Sequence, residues 1–396
     1  FVTNDSNLKF YNGSAWVAIS PGIANVVDDS TPQLGGNLDA NGNSIVSVSN
    51  ANIVIAPNGT GKVDINGNLD VDGGTIKLDG SYPTGTDNTA LGDTALDSVQ
   101  AGGVSNTVIG HNAGTAITTG DGNTVVGDLA LDASSTSSDN TAIGRCALTT
   151  STASNNTAVG AYSLRDNTTG SNNVAFGISA LKENTEGDNN TSIGNSSLCN
   201  NTTADNNTAL GNSAMKLNTT GASNTAVGKD ALYANTTANN NTAIGVCAMI
   251  ATTTGANNTA VGFSALDTNT TGCENVAVGR DTLFSNTSGE RNVALGYRAL
   301  CANTSGDFNI AVGRQSLFGN TTGERNSVLG LNAMYTNTTG GCNVAIGGNA
   351  LYSNTTAANN TAVGACSLEA NTTGCQNVAV GRSALCSNTT AASNTA

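Results

Sequence analysis

The stretch Asn224-Thr225-Ala226-Val227-Gly228-Lys229-Asp230-Ala231-Leu232-Tyr233-Ala234-Asn235-Thr236-Thr237-Ala238-Asn239-Asn240 is followed at once by Asn241-Thr242-Ala243-Ile244-Gly245, and the pattern begins again. Its glycine recurs at Gly92, Gly110, Gly127, Gly144, Gly160, Gly177, Gly194, Gly211, Gly228, Gly245, Gly262, Gly279, Gly296, Gly313, Gly330, Gly347, Gly364 and Gly381. Nearly every interval is 17 residues; an early 18 and a 16 cancel. Four residues after the glycine stands Leu or Met in 17 of the 18 units, from Leu96 to Leu385, with Gly114 the exception. The residue before the glycine is Val, Ile, Leu or Phe throughout, and a second corner, Asn-Thr-Thr-Gly or Asn-Thr-Thr-Ala, follows in almost every unit from Asn167 onward. Asn394-Thr395-Ala396 opens a nineteenth copy, and the repeat is expected to continue.

Seventeen residues are too few for two packed helices, and Asn, Thr and Gly are poor helix formers. They suit one coil of a β-solenoid, short extended segments joined at corners where Gly and Asn take positive φ. Coils stacked at the strand spacing of about 4.8 Å put each position above its equivalent, so eighteen would extend roughly 85 Å. Leu, Val/Ile, Asn and Thr each become a ladder, and the Asn ladders can bond amide to amide along the stack. Each buried Leu contributes about 1.5–3 kcal/mol. No single coil is stable, but the stack is. The expected fold is therefore an all-β parallel β-solenoid, or β-roll, of 17-residue coils.

Composition narrows the function classes. Of 396 residues, only 4% are aromatic and 11% charged, while Gly occurs 48 times. So few large side chains exclude a thick core, and an aliphatic residue held at a fixed offset excludes a disordered tract. A net charge of −14 with no Lys/Arg cluster argues against nucleic acid. No apolar run reaches membrane-spanning length. The single histidine, His111, leaves no material for a multi-histidine metal centre or a His-based catalytic group. Gly59-Thr60-Gly61-Lys62 lacks the first glycine and the hydroxyl residue of a phosphate loop, so it reads as a β-turn. Asp64, Asp70 and Asp72 lack any known calcium-loop spacing. No catalytic, cofactor or metal residue is assigned, and the chain is read as non-enzymatic.

Eight of the nine cysteines fall into shared repeat offsets: Cys146, Cys247 and Cys366 in one, Cys199, Cys301 and Cys386 in a second, Cys273 and Cys375 in a third. Members of a set lie several coils apart, which predicts free thiols, those of the Cys146 set partly exposed. The Asn-x-Thr triplets are the repeat itself and carry little weight as glycosylation sites.

Successive strand residues point to opposite faces. Ala226 and Val227, or Ala231 and Leu232, would then make both faces of an extended segment apolar. One face fills the coil; the other calls for a second chain, with the small Ala residues at the close approach. A kink that turns both residues inward is the competing expectation.

Residues 1–20 lack the repeat and read as a small hairpin, Leu8–Tyr11 and Ala15–Ala18 about the Asn12-Gly13 turn. Residues 21–87 read as an extended β connector punctuated by Asn41-Gly42, Asn58-Gly59, Asn66-Gly67 and Asp72-Gly73. Its sparse core favours winding with other chains. The solenoid is assigned to 88–396.

The front end, Leu8-Lys9-Phe10-Tyr11-Asn12-Gly13-Ser14-Ala15-Trp16-Val17 and Val27-Asp28-Asp29-Ser30-Thr31-Pro32-Gln33-Leu34-Gly35-Gly36-Asn37-Leu38-Asp39, resembles tail-fibre and other virion structural proteins of tailed phages, especially marine and cyanobacterial ones. The Asn-Thr-Ala-Val-Gly array looks like those of such fibres and is similar to the head repeats of trimeric autotransporter adhesins, which build trimeric left-handed parallel β-rolls from a shorter unit. The resemblance implies a homotrimeric virion fibre that supports host attachment, contacts other virion or tail proteins at one end, and presents a tip or its own surface to host cell-surface glycans. Many such proteins end in a self-cleaving chaperone domain, which nothing in this chain matches. The variable residues after the motif glycine, Arg145, Tyr162, Lys229, Phe263, Arg280, Tyr297, Arg314 and Arg382, are the expected exposed contacts. A bacterial trimeric surface adhesin is the first alternative; a single-chain ice-binding solenoid, which needs a flat face of outward Thr, is the second.

Overall fold

The computed structural model describes residues 9–11, 13–18 and 87–396. The chain divides into two compact units, Phe1–Ile76 and Lys77–Ala396. In the first, β1 (Lys9–Tyr11) and β2 (Trp16–Ala18) pair antiparallel with Tyr11 opposite Trp16, the hairpin expected about Asn12-Gly13. The connector over 21–87, with its turns, Gly59–Lys62 and the three aspartates, lies outside the described residues apart from Asp87.

The second unit is a parallel β-solenoid of 17-residue coils. Its eighteen strands run from β3 (Thr89–Leu91) to β20 (Val378–Val380), three residues each and one per coil. Every strand pairs in parallel with that of the next coil, in register: Thr225 lies against Thr242, Ala226 against Ala243, Val227 against Ile244. Equivalent positions therefore stand in columns, and the repeat is a set of ladders.

The motif glycine ends each strand. Gly228 has φ +137°, and a Cβ there would lie 2.5 Å from the carbonyl oxygen of Gly245 in the next coil. Both conformation and close stacking demand glycine. Four residues later the chain does something the repeat did not announce. Leu232 has φ 51°, the left-handed region, and its equivalents from Leu96 to Leu385 do the same. This bend breaks strand alternation, so Ala231 and Leu232 are both fully buried. The kink, not a second apolar face, accounts for that pair.

The strand itself alternates, with its faces opposite to expectation. Ala226 and its equivalents point into the coil's own interior and are fully buried in every coil after the first, where Ala90 is half-buried. They are unavailable for contact between chains. The larger residue before the glycine points outward instead.

The interior of a coil is thus one Leu or Met, two small residues and two Asn. Asn at the strand entrance is buried in every coil from Asn88 onward. The Asn241 backbone N–H donates to Asn224 Oδ1 at 2.9 Å, and Asn241 Nδ2 donates to the Gly255 carbonyl at 2.9 Å. At the second corner the amides bond to one another: Asn184 Nδ2 donates to Asn167 Oδ1, and Asn201 Nδ2 to Asn184 Oδ1, both at 2.8 Å. Such ladders satisfy buried polar groups that would otherwise cost about 1–3 kcal/mol each. Outside them, Thr185 Oγ1 donates to the Thr202 carbonyl at 3.0 Å, and the same bond recurs up its column.

Departures from the consensus are compensated. Gly114 replaces the Leu, and the fully buried Ile117, which stands where later coils have Asn, comes within 2.9 Å of a Cβ built on Gly114. Ser192 replaces the interior Ala, and its hydroxyl donates to the Ser197 carbonyl at 2.8 Å.

Candidate interaction surface

Outward columns are what the solenoid offers a partner. The widest is the strand face. Its two outward positions, three before and one before the motif glycine, hold Thr, Val, Ile or Ser and Val, Ile, Leu or Phe respectively, without a charged residue in any of the eighteen coils. Exposure of the second position reaches 56% at Phe176 and 61% at Val380. At about 4.8 Å per coil and roughly 7 Å across, this stripe covers on the order of 600 Å² in projection. About half of it, the row before the glycine, is apolar in every coil, and the other row is mostly Thr.

Beside it runs the column that follows the glycine. Arg145, Lys229, Phe263, Arg280, Tyr297, Arg314 and Arg382 are exposed there as expected, while Tyr162, one position later in its coil, is half-buried. The fold brings several together. The Arg145 guanidinium lies 4.6 Å from the Tyr162 ring centre, Arg280 5.6 Å from Phe263, and Arg314 6.0 Å from Tyr297. Lys229 instead pairs with its neighbour Asp230, and Arg382 joins no such group. His111 in the same column meets Asp128 at 2.8 Å.

Sequence reasoning missed further members. Arg298 lies 5.4 Å over Tyr297, and Asp281 bridges Arg298 (3.3 Å) and Arg280 (3.4 Å). The hydrogen bond to Asp281 holds the Arg298 guanidinium above its usual pKa. At the second corner Arg291 and Arg325 flank Phe308 at 5.3 and 5.6 Å, and Arg291 pairs with Glu274 at 2.9 Å. Five residues after the glycine, Phe318, Tyr335 and Tyr352 stack with ring centres 5.0 and 5.3 Å apart. Writing the sequence in rows of 17 would have aligned each of these groups in one column or in two adjacent ones.

The cysteines are all free. Cys146, Cys247 and Cys366 are half-buried, as their offset suggested. Burial pushes the thiols of Cys199, Cys247 and Cys301 up, which keeps them protonated and unreactive near neutral pH. Cys273 and Cys375 share a different duty: each sulfur accepts the backbone N–H of the preceding coil, from Ala256 and Ala358, both at 3.4 Å. Asp188 and Asp205 fill that position elsewhere, accepting from Ser171 and Asp188 at 2.6 and 2.7 Å.

Among the described residues, no group of three or more His, Cys, Asp or Glu is placed to hold a metal ion, and no helix is long and apolar enough to cross a membrane. No protein-family model, curated protein or solved structure matches the chain.

Proposed function

We propose that this chain forms the shaft of a virion fibre of the tailed-phage type, a homotrimer that carries a host-attachment function and joins other tail proteins at one end. The observation that supports it is the outward strand face, whose row before the glycine is Val, Ile, Leu or Phe in every coil and whose neighbouring, Thr-rich row is equally free of charge through all eighteen coils. A surface turned permanently to water has no reason to exclude charge for that length. A second copy packing on the same face removes it from water, and a cyclic assembly lets every copy use the identical stripe. Residue by residue, the faces are the reverse of the simplest sequence expectation: Val, Ile and Leu make the contact between chains and Ala fills the coil.

The mechanism is mechanical. In-register pairing and Asn ladders make a stiff support, and the column beside the strand face carries the variable side chains that contact a host surface.

Light scattering on the isolated chain tests the assembly. A mass near three times 39.3 kDa is expected. Ile244→Asp with Val261→Asp should lower that mass while circular dichroism keeps its β signal. A folded monomer of the unaltered chain overturns the homotrimer. An antibody against the solenoid should label the tails of purified particles. Label on bacterial envelopes instead would favour a trimeric surface adhesin, whose assembly draws on the same strand face. An ice-binding role finds less support, because the outward Thr column is interrupted by Val174, Val276, Val293, Ile310, Ser327, Val344 and Val378, and the other Thr column spends its hydroxyls on carbonyls of the next coil.

A further inference from the structure

We propose that the exposed column Phe263, Arg280, Tyr297 and Arg314 binds a linear acidic polysaccharide in which charged and neutral sugars alternate. The inference deepens the attachment role proposed above and rests on it for its biological setting alone. Four successive coils present aromatic, cation, aromatic, cation at one position. Phe263 is half exposed and the Arg280 side chain 63% exposed.

Charge identifies the sign of the ligand. Arg280 and Arg298 share the single carboxylate of Asp281, at 3.4 and 3.3 Å. Arg314 has no carboxylate partner among the described residues. Three guanidinium groups against Asp281, with the half-buried carboxyl of Asp267 beside it, leave a local excess of positive charge on a chain whose net charge is −14. Arg presents a planar fork that matches a carboxylate or sulfate, and it keeps donors free while stacked on a ring.

Spacing identifies its form. Arg280 and Arg314 are two coils apart, about 9.6 Å along the stack, roughly the length of one disaccharide in an extended chain. Tyr297 stands at the coil between them and Phe263 at the coil before Arg280, so rings for an apolar sugar face alternate with the cations. A chain lying along the solenoid would meet a cation under each charged sugar and a ring under each neutral one. A nucleic acid would bring closely spaced phosphates to a surface with few uncompensated cations in an acidic chain, and is disfavoured.

The test is biolayer interferometry on the full chain with hyaluronan oligosaccharides, with dextran, polyglutamate and single-stranded DNA as comparators. Hyaluronan should bind in a salt-sensitive way, and dextran should not bind. Arg280→Ala with Arg314→Ala should weaken hyaluronan about tenfold or more. Phe263→Ala with Tyr297→Ala, which keeps every charge, should weaken it as well, whereas Lys229→Ala should not. Thermal melts of the variants confirm that they remain folded. Absence of hyaluronan binding overturns the proposal, as does unchanged binding by both double variants. Equal binding of polyglutamate or DNA overturns the sugar assignment. Because each arm reads binding by the isolated chain, none depends on whether it belongs to a virion or how many copies assemble.

Discussion

Thr252 interrupts the second Asn ladder, and the consequence falls on its neighbour. Asn235 Oδ1 is buried without a hydrogen-bond donor, because Thr252 lacks the amide that should reach it from the next coil. On the far side, Asn269 Nδ2 reaches Thr252 Oγ1 only at 3.5 Å, against 2.8 Å for regular pairs such as Asn286 to Asn269. Thr252→Asn should restore both links and raise stability by about 1–3 kcal/mol. Chemical denaturation of the two proteins measures it, and a variant no more stable than the parent would mean that the ladder bonds carry no net energy. A second residue-scale prediction follows from the left-handed Leu column. Met occupies it naturally at Met215, Met249 and Met334, but no β-branched residue does. Positive φ is tolerable for an unbranched side chain and strained for a branched one. Leu232→Met should therefore cost under about 1.5 kcal/mol, whereas Leu232→Ile, of equal volume, should cost about 2 kcal/mol more. Equal melting temperatures for the two would show that volume alone governs this position.

At the scale of the element, stacking makes each column an environment of its own. Asp267 shows what happens when a residue is out of keeping with its column, for its neighbours above and below are Ile250 and Phe284. Burial pushes its carboxyl up, and the hydrogen bond from Ser264 only partly opposes this. A carboxyl whose folded pKa exceeds its unfolded one binds the proton more readily when folded, so stability falls as pH rises through that window. Asp267→Asn should raise the melting temperature at about pH 7, and the gain should shrink on acidification and vanish where Asp is protonated in both states. Melts across the acid range check this; a gain independent of pH would assign the effect to packing. The same column logic shows how far the sequence could be read. Offsets of 17 were enough to name the solenoid, the Leu ladder and the Asn ladders, because period and composition report them directly. Which strand face turned inward was not legible from hydrophobicity, since both Ala and Val are apolar. The answer lay in size: the inward position is Ala in most coils, with Val only at Val108, Val125 and Val328 and Ser at Ser192, while the outward position before the glycine takes Val, Ile, Leu and Phe. The kink was legible in principle, from a column that accepts Leu and Met while the column before the glycine takes Val and Ile freely. Apart from the adjacent Tyr297 and Arg298, the aromatic–guanidinium groups needed coils to be compared with each other, because their members lie in successive units.

For the solenoid as a whole, near-identical coils mean that stability should be close to a sum of coil and interface terms. Each coil touches only the coils before and after it, and in-register pairing gives every interface the same hydrogen bonds. Removing one complete unit, Asn224–Asn240, joins Ser223 to Asn241 and brings equivalent positions back into contact: Asn207 meets Asn241, Met215 meets Met249, Gly211 meets Gly245. The shortened protein should fold with unchanged circular dichroism, and its urea unfolding slope should fall only by the share of one coil, since the slope follows the surface exposed. Removing Asn224–Leu232 alone should behave differently. It shifts every later column, placing Tyr233 where the strand-entrance Asn must stack and Thr237, Asn240 and Asn241 where glycine, Ala and Leu must stack, and the chain would have to loop out the remainder of the unit to recover register. A large loss of cooperativity is expected for that nine-residue deletion. If instead both deletions were tolerated equally, or the whole-unit deletion collapsed the fold, the stack would owe its stability to some feature that is not repeated, and the additive account of the ladders would fail with it.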